Sequence, residues 1–393
     1  MNICLVSTVG YPTRDPEAGG VSICSRNLAH ALTEQGHRVI VINHRLKGDP
    51  PRINDGPVML RLAPITFFHH YLSKIGKKAG MWPSLVKIYE MGIGIRREIQ
   101  RIIKEEDIDI VQYPNAWSEG VFHPGSLKMS VRMDTPLCMV RDLPDVGEHS
   151  GWSLYEKIEK SIVRRADLVS CHTPFVAEQV IRSYSIDREK VAVIPNLVDT
   201  KTFKPLERHK RDHFLIFHPD PRLDDRQKGA AILLEAMKEV LDRFPKTKLR
   251  LAGKGQIDFR EYGDRVAGAI ESLGWINARA LAAEYAEADI CVVPSIGWET
   301  FSNICAESLA CGTPVVASKV GGMPDVVRHD KTGLIFPPGD VTALAQAIIE
   351  LLSNPEKRLD MGRYGRIYAE KFFSFQKVAK MTEEVFMSAI SNK

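Results

Sequence analysis

The sequence lacks several patterns that would place a protein of its size in a specialised class. Its seven cysteines occur singly, with no C-x-x-C pair, which argues against a disulfide scaffold and against a cysteine-bound metal. No apolar run reaches the length of a membrane span, and the chain opens on a strand-like run without a basic leader. These features predict a cytoplasmic protein whose cysteines are reduced core residues.

Signatures of common cofactors are missing as well. There is no G-x-G-x-x-G fingerprint, which argues against an NAD-dependent oxidoreductase, and the twelve histidines show no metal-ligand spacing. Asp107-Ile-Asp109 imitates a metal-binding D-x-D motif but precedes an apolar run, so we interpret it as the polar start of a strand. A net charge of +4 is too small to indicate a nucleic-acid partner. We expect no metal, no cofactor and no nucleic acid.

What the sequence contains is an alternation of short apolar runs and helical patterns. At 393 residues, two cores are expected. In the first half the alternation predicts a helix near 20–35 and strands at the ranges 2–9, 38–43, 108–113, 137–140, 168–171 and 191–194. A polar segment with two prolines, 195–212, marks the linker.

The same alternation restarts after the linker. It predicts strands at 214–218, 248–252, 290–294 and 314–318 and helices at 229–243, 278–286, 303–311, 355–371 and 375–391. Alternating strands and helices require mainly parallel sheets with helices on both faces. The sequence therefore predicts an α/β protein with two doubly wound, Rossmann-like domains and a ligand at the carboxyl ends of the strands.

The segment from Ser295 to Pro314 carries the strongest indication of function. Glu299 and Glu307 stand eight positions apart, and Ser302 or Asn303 can cap a helix that begins between them. The amino terminus of a helix presents backbone N–H groups to an anion. An anion site between two carboxylates suits a diphosphate that joins two polyhydroxylated rings, as in a nucleotide sugar. Alternatively, Glu307 only complements the helix dipole and Glu299 is a solvated loop residue.

Three further loops carry candidate ligand contacts. Gly19-Gly20 lies between the first strand and the first helix, where glycine permits close approach to a phosphate or sugar, although a plain turn explains it too. The run from Arg222 to Gly229 places Arg222, Arg226 and Lys228 where they would meet a diphosphate, unless they pair with Asp224 and Asp225. Arg141-Asp142 follows the strand expected at 137–140 and is either a substrate contact or a structural ion pair.

Together these motifs resemble the family 4 retaining glycosyltransferases, which adopt the GT-B fold. The resemblance runs over nearly the whole chain and is strongest in Leu273–Ile276, in Glu299–Pro314 and in Ala317–Val327. It implies a domain at 1–200 that holds the acceptor, a donor-binding domain at 205–374, a cleft between them, and a final helix at 375–393 that returns to the first domain.

The resemblance also implies roles for individual residues. Glu307 would hold the ribose hydroxyls, and Glu299 would contact the transferred sugar. Lys228 and an arginine, Arg222 or Arg226, would neutralise the diphosphate. The remaining donor contacts would come from Gly20, from Gly253 in Gly253-Lys-Gly255, from the backbone near Ile276, and from the backbone of Phe301, Ser302, Asn303 and Ile304; Gly19, Arg141 and Asp142 would lie on the acceptor side.

The chain departs from the family pattern in two respects. The loop from the strand expected at 214–218 to Lys228 is longer than usual, which leaves the identity of the phosphate-binding arginine open. Family members also commonly carry a histidine at the end of a first-domain strand, where this chain has Arg141 or Asp142.

From the resemblance as a whole we predict a retaining hexosyl-type glycosyltransferase of glycan, glycolipid or polysaccharide biosynthesis that needs no metal. Two alternatives remain open, a nucleotide-sugar epimerase on the same architecture and a catalytically silent nucleotide-sugar-binding partner.

A local excess of positive charge suggests where the acceptor comes from. Residues 61–104 hold nine Lys or Arg against Glu90 and Glu98, interleaved with aromatic residues. This composition is typical of a segment that rests on an anionic membrane face and indicates a glycan or lipid-linked acceptor at the inner membrane surface. Alternatively, the apolar residues are core and the charges form a solvated helix face.

Overall fold

The computed structural model describes residues 1–7, 20–45, 48–64, 82–115, 119–140 and 152–391. The chain divides into two compact units, Met1–Leu197 together with Val378–Lys393, and Val198–Lys377. Each unit contains one sheet whose strands are paired almost entirely in parallel. The prediction of an α/β protein with two parallel-sheet domains is confirmed.

The first sheet has eight strands in the order β3-β4-β2-β1-β5-β6-β7-β8, and β3–β4 is an antiparallel pair. Its central strands are buried on both faces, as the continuous apolar runs of the sequence require. The strands are β1 (Asn2–Val6), β2 (Arg38–Arg45), β3 (Arg52–Asp55), β4 (Val58–Pro64), β5 (Ile110–Pro114), β6 (Lys128–Met133), β7 (Leu168–Cys171) and β8 (Val191–Val193).

The helices of the first unit connect these strands in the right order for a doubly wound sheet. α1 bears its small and apolar residues toward the core, and α2 contributes a run of buried isoleucines. The helices are α1 (Gly20–Glu34), α2 (Trp82–Glu105), α3 (Leu137–Val140), α4 (Trp152–Arg165) and α5 (Pro174–Tyr184), and α13 (Phe375–Ser391) lies mostly in the same unit.

The expected strand at 137–140 is wrong, because Leu137–Val140 is the short helix α3. A four-residue apolar run does not distinguish a strand from a helical turn. Here Pro136 precedes the turn and accepts a hydrogen bond from Met139 N, while the Glu159 carboxylate accepts one from Leu137 N at 3.0 Å. The strand in this part of the chain is β6, which ends at Met133.

The second sheet has six parallel strands in the order β11-β10-β9-β12-β13-β14. They are β9 (Leu215–Arg222), β10 (Lys248–Lys254), β11 (Ile270–Gly274), β12 (Ile290–Val293), β13 (Val315–Ser318) and β14 (Gly333–Phe336). The helices are α6 (Ala230–Arg243), α7 (Asp264–Ala269), α8 (Ala278–Glu287), α9 (Asn303–Ala310), α10 (Met323–Val326), α11 (Val341–Ser353) and α12 (Pro355–Phe372). Two apolar clusters, one on each face, bury this sheet.

The sequence leads us to expect reduced cysteines in the core and no membrane-spanning helix. All seven cysteines are free; six are buried, as expected for core residues, and Cys138 is partly buried. Among the described residues, no helix is long and apolar enough to cross a membrane.

Part of the basic segment 61–104, which was expected to be exposed, is buried in the first unit. Arg61 is 4 % exposed and donates to Glu98 at 2.8 Å and to Glu105 at 2.7 Å, so it belongs to a buried ion-pair network. The apolar residues of α2 that precede and follow Glu98 are core. An exposed basic stripe remains on α2 at Arg97, Arg101 and Lys104, and residues 65–81 lie outside the described residues.

Replacement of Arg61 by alanine is expected to destabilise the first unit strongly. Removal of one partner of a buried ion pair typically costs about 3–5 kcal/mol. Here Arg101 still donates to Glu98 at 3.0 Å, so the cost should lie at the lower end of that range. Arg97→Ala is the matched control on the same stretch of chain, and as an exposed change it should stay within about 0.5 kcal/mol. Calorimetric unfolding of both variants checks this. Equal stability of the two variants would show that the Arg61 network contributes nothing.

Candidate functional site

The loop before α9 is fastened to the turn Arg226–Lys228 through the backbone. The Gln227 carbonyl accepts hydrogen bonds from Ile296 N at 2.8 Å and from Gly297 N at 3.0 Å. Gly297 fits there because a Cβ would lie 2.6 Å from the Gln227 side chain. The two loops follow β12 and β9, which are neighbours in the sheet, so both emerge at its carboxyl edge.

A second backbone contact holds the other end of this loop. The Glu299 carbonyl accepts a hydrogen bond from Gly322 N at 2.8 Å. Gly321 has a φ of +51°, and a Cβ on it would lie 2.0 Å from the Glu299 carbonyl oxygen. Only glycine tolerates both the left-handed backbone and this close approach. The main chain of Glu299 is thus held from two sides.

The two loops bring Lys228 and Glu299 into contact. The Lys228 Nζ lies 2.7 Å from Glu299 Oε1, and Ser295 Oγ donates to the same oxygen at 3.4 Å. Burial alone would lower the pKa of Lys228, but the carboxylates of Glu299, Asp220 and Asp225 outweigh it and raise that pKa. The ammonium therefore stays charged at neutral pH and remains partly exposed to a ligand.

Helix α9 begins at a strained residue. Ser302 is its N-cap and, although not a glycine, has a φ of +62°; its hydroxyl accepts a hydrogen bond from Cys305 N. Backbone strain of this kind persists where the surroundings fix it, often at ligand sites. Phe301 is buried and packs edge-on against Phe373 with ring centroids 5.3 Å apart, so a ligand contact from Phe301 is limited to its backbone. Asn303 and Ile304 form the first, partly buried turn.

Glu307 lies in a different environment from Glu299. Its Oε2 accepts a hydrogen bond at 3.1 Å from the hydroxyl of Tyr285, which is fully buried in the core of the second unit. Burial raises the pKa of Glu307 to about 7, although the Tyr285 hydroxyl acts in the opposite direction. One loop and one helical turn therefore present an ion-paired carboxylate and a carboxyl that titrates near neutrality.

The two candidate phosphate-binding arginines are both exposed, and they differ in their partners. Arg222 forms an ion pair with Asp225, and its side chain is 73 % exposed. Arg226 is exposed, and within the described ranges its side chain has no ion pair. Gly253 is structural: at a φ of +152°, a Cβ on it would lie 1.7 Å from the Asp220 carbonyl oxygen. The choice between the two arginines stays open.

The remaining candidates are distributed over both units. Ile276 is partly buried against the core of the second unit, just before α8. Gly20 is the exposed first residue of α1. Gly19, Arg141 and Asp142 lie outside the described residues. The reason for selecting Arg141 and Asp142, that they end a strand, is wrong because they follow α3.

Sequence reasoning missed a buried polar network at the carboxyl edge of the first sheet. Asn115 follows β5, Asp134 follows β6 and His172 follows β7. Asp134 Oδ1 lies 2.9 Å from His172 Nε2, and Asn115 Oδ1 accepts from Asp134 N at 2.8 Å. Arg132 donates to Asn196, which follows β8, at 2.6 Å. The available signal was a polar residue directly after each of β5, β6 and β7. Asp134, and not Arg141 or Asp142, is the residue that follows the strand in this part of the first unit.

The residues that could hold a metal were also compared with the structure. Asp109 directly precedes β5, and its Oδ2 accepts a hydrogen bond from Asn2 N at 2.7 Å. It is therefore the polar start of a strand, as expected from the sequence. Within the described ranges, His, Cys, Asp and Glu side chains form no group of three or more that could hold a metal ion.

Each half of the chain matches a glycosyltransferase family model. A family model described as Glycosyltransferase Family 4 matches residues 18–202, and one described as Glycosyl transferases group 1 matches residues 221–354. The chain is 29 % identical to the D-inositol 3-phosphate glycosyltransferase of Pseudarthrobacter chlorophenolicus over 99 % of this chain and 95 % of that protein.

Solved structures show the same fold. The sucrose-phosphate synthase of Thermosynechococcus elongatus superposes with a TM-score of 0.79 at 22 % identity and covers 100 % of both chains. The Anabaena protein HepE in complex with UDP-glucose superposes with a TM-score of 0.68 at 17 % identity, over 99 % of this chain and 100 % of that one. The expected GT-B fold is thereby confirmed.

Proposed function

We propose a specific reaction for this chain, which belongs to glycosyltransferase family 4: retaining transfer of a sugar from a nucleoside diphosphate to an acceptor hydroxyl. One observation carries the proposal. A loop locked by backbone hydrogen bonds holds Glu299 against the Lys228 ammonium at 2.7 Å, directly before the amino terminus of α9, and Glu307 lies about one turn into that helix. The UDP-glucose bound to HepE supports a nucleotide sugar as the donor.

Each group of the site has a distinct role in donor binding. Glu307 accepts hydrogen bonds from the ribose hydroxyls, and the backbone near Ile276 contacts the base. The backbone N–H groups at the start of α9 face the diphosphate. Lys228 stabilises the charge of the diphosphate, together with Arg222 or Arg226, and Glu299 then turns to the hydroxyls of the transferred sugar.

The chemical step is a substitution on one face of the sugar. The acceptor oxygen forms a bond to the anomeric carbon while the bond from that carbon to the diphosphate oxygen breaks. The leaving phosphate oxygen takes the acceptor proton, so that no carboxylate needs to act as a nucleophile. Lys228 and the N–H groups of α9 stabilise the negative charge that develops on the leaving group, and this is the work a divalent cation would otherwise do. We therefore propose a metal-independent reaction.

The acceptor site belongs to the first unit. The exposed stripe Arg97, Arg101 and Lys104 on α2 suits contact with an anionic membrane face, where each basic residue contributes about 1 kcal/mol. This favours a lipid-linked or other membrane-borne acceptor in the synthesis of a glycan, glycolipid or polysaccharide, with the protein peripheral to the inner membrane face.

Alanine variants of the two glutamates are expected to differ in nucleotide binding and in turnover. Glu307→Ala should weaken both nucleotide sugar and free nucleoside diphosphate by about 10- to 100-fold, because hydrogen bonds to a charged partner contribute about 1.5–3 kcal/mol. Glu299→Ala should not weaken the binding of free nucleotide, because the diphosphate no longer has to displace a carboxylate from Lys228, and it should depress turnover. Calorimetric titration of both variants checks this, and wild-type affinity for nucleotide in both would refute the assignment.

Lys228→Ala is expected to lower turnover by about 100-fold or more, the effect of losing one preorganised group at a developing charge. Lys254→Ala, at an exposed lysine that ends the neighbouring strand β10, serves as the matched control and should retain most activity. Wild-type turnover should persist in excess EDTA. If chelation abolished activity and Mg²⁺ or Mn²⁺ restored it, the metal-independent mechanism would be wrong.

The membrane contact is tested by vesicle co-sedimentation. The wild type should bind anionic but not neutral vesicles and should be released by moderate salt, because exposed charges are screened within about 10 Å at 0.1 M. Replacement of Arg97 and Lys104 by Glu should strongly weaken binding; Arg101 is retained in this variant because it donates to the buried Glu98 at 3.0 Å. The same charge reversal at the exposed residues Lys204, Arg279 and Lys331 of the second unit should not weaken binding. Equal binding to both lipids, or none, would favour an acceptor in solution.

A further inference from the structure

Asp220 is a buried carboxyl next to the proposed diphosphate site. It lies near the end of β9, is 4 % exposed, and its Oδ1 accepts a hydrogen bond from Arg222 N at 2.9 Å. Its own carbonyl oxygen is packed so tightly against Gly253 that a Cβ there would lie 1.7 Å away. The backbone at Asp220 is therefore closely packed, and the buried carboxyl is held by a main-chain N–H.

Negatively charged groups outnumber positively charged ones among the residues that act on the Asp220 carboxyl. Lys228 is the cation that interacts with it, while Glu299 and Asp225 are negative neighbours. The Arg222 guanidinium is turned outward to Asp225. His218, two residues earlier on the same strand, is buried and donates from Nδ1 to the Val292 carbonyl; burial lowers its pKa to about 4, so it adds no positive charge at neutral pH.

This arrangement leaves Asp220 sensitive to any added negative charge. Burial raises the pKa of Asp220 to about 6, although Lys228 acts in the opposite direction. In the free protein the carboxyl is thus mostly ionised at pH 7.5. A sugar-linked diphosphate brings two negative charges and, at the proposed site, contacts the same ammonium that stabilises ionised Asp220. Both effects raise the pKa of Asp220 further.

We infer that Asp220 takes up a proton when the nucleotide sugar binds, so that a buried neutral carboxyl, instead of a third negative charge, faces the diphosphate beside Lys228. The inference rests on the proposed donor site and adds a residue to it. It also sets the direction of the pH dependence. Since the bound form holds one proton more than the free form, donor affinity should fall as the pH rises above about 6, by up to tenfold per pH unit.

Isothermal titration calorimetry measures this proton directly. UDP-glucose, ADP-glucose and GDP-mannose are titrated into the full chain at pH 7.5 in two buffers of different ionisation enthalpy. Their diphosphates do not titrate near neutrality, so the proton count belongs to the protein. The wild type should take up about one proton per ligand bound, and its Kd should rise by at least tenfold from pH 6.5 to 8.5.

Asp220→Asn keeps an oxygen that can accept from Arg222 N, while removing the titration. Its proton uptake should fall to near zero, its Kd should change little with pH, and at pH 8.5 it should bind more tightly than the wild type. Asp224→Asn removes a formal charge from the same loop at an exposed side chain and should retain the wild-type uptake. Comparison in a Glu307→Gln background removes the contribution of the other carboxyl that titrates near neutrality.

The outcomes separate the inference from the function on which it rests. If the wild type binds a nucleotide sugar without proton uptake, the inference is overturned, and this holds even if Asp220→Asn does not fold. Equal proton counts in the wild type and Asp220→Asn would also overturn it. Failure of the proposed function looks different, because then none of the three nucleotide sugars would bind the wild type at any pH.

Discussion

The proposed donor site depends on one main-chain acceptor, the Gln227 carbonyl. By accepting from two successive N–H groups, Ile296 and Gly297, it joins the loop after β9 to the loop after β12. Because the contact is between backbones, it fixes the positions of both loops independently of the side chains they carry. The close approach of Gly321 to the Glu299 carbonyl completes the frame from the other side. Lys228 and Glu299 are in contact because these backbone contacts fix the two loops that carry them.

The contact between Lys228 and Glu299 has a consequence for ligand exchange. In the absence of a donor, the Glu299 carboxylate forms an ion pair with the Lys228 ammonium at 2.7 Å. Neither charge is therefore left uncompensated in this partly buried site. A diphosphate that replaces Glu299 at Lys228 substitutes one anion for another and releases the carboxylate toward the sugar. The same step brings the negative charges of the diphosphate to the ammonium that stabilises ionised Asp220. Binding of the diphosphate, placement of Glu299 and protonation of Asp220 are therefore one electrostatic event.

Much of the fold could be predicted from the sequence, since buried parallel strands give continuous apolar runs: β7 was predicted at its observed bounds, and α1 within one residue. Strand β6 was missed because Lys128, Ser130 and Arg132 interrupt its apolar residues. Arg132 is nonetheless buried, since Asp134 and Asn196 satisfy it. Glu299, Glu307 and Lys228 could be selected from local motifs. Tyr285 and Asp220 could not, because their importance comes from contacts with residues distant in sequence.

The two glutamates of the site show how one residue type serves two purposes within a single short segment. Glu299 lies in a loop, shares its oxygen with a lysine ammonium and a serine hydroxyl, and is free to exchange these partners for sugar hydroxyls. Glu307 lies on a helix and is held by the hydroxyl of a tyrosine that is itself fixed in the core. A carboxyl held this way keeps one geometry whether or not a sugar is attached to the nucleotide. Its surroundings therefore suit the role proposed for it at the ribose, which stays with the nucleotide, whereas those of Glu299 suit the role proposed for it at the sugar that is transferred.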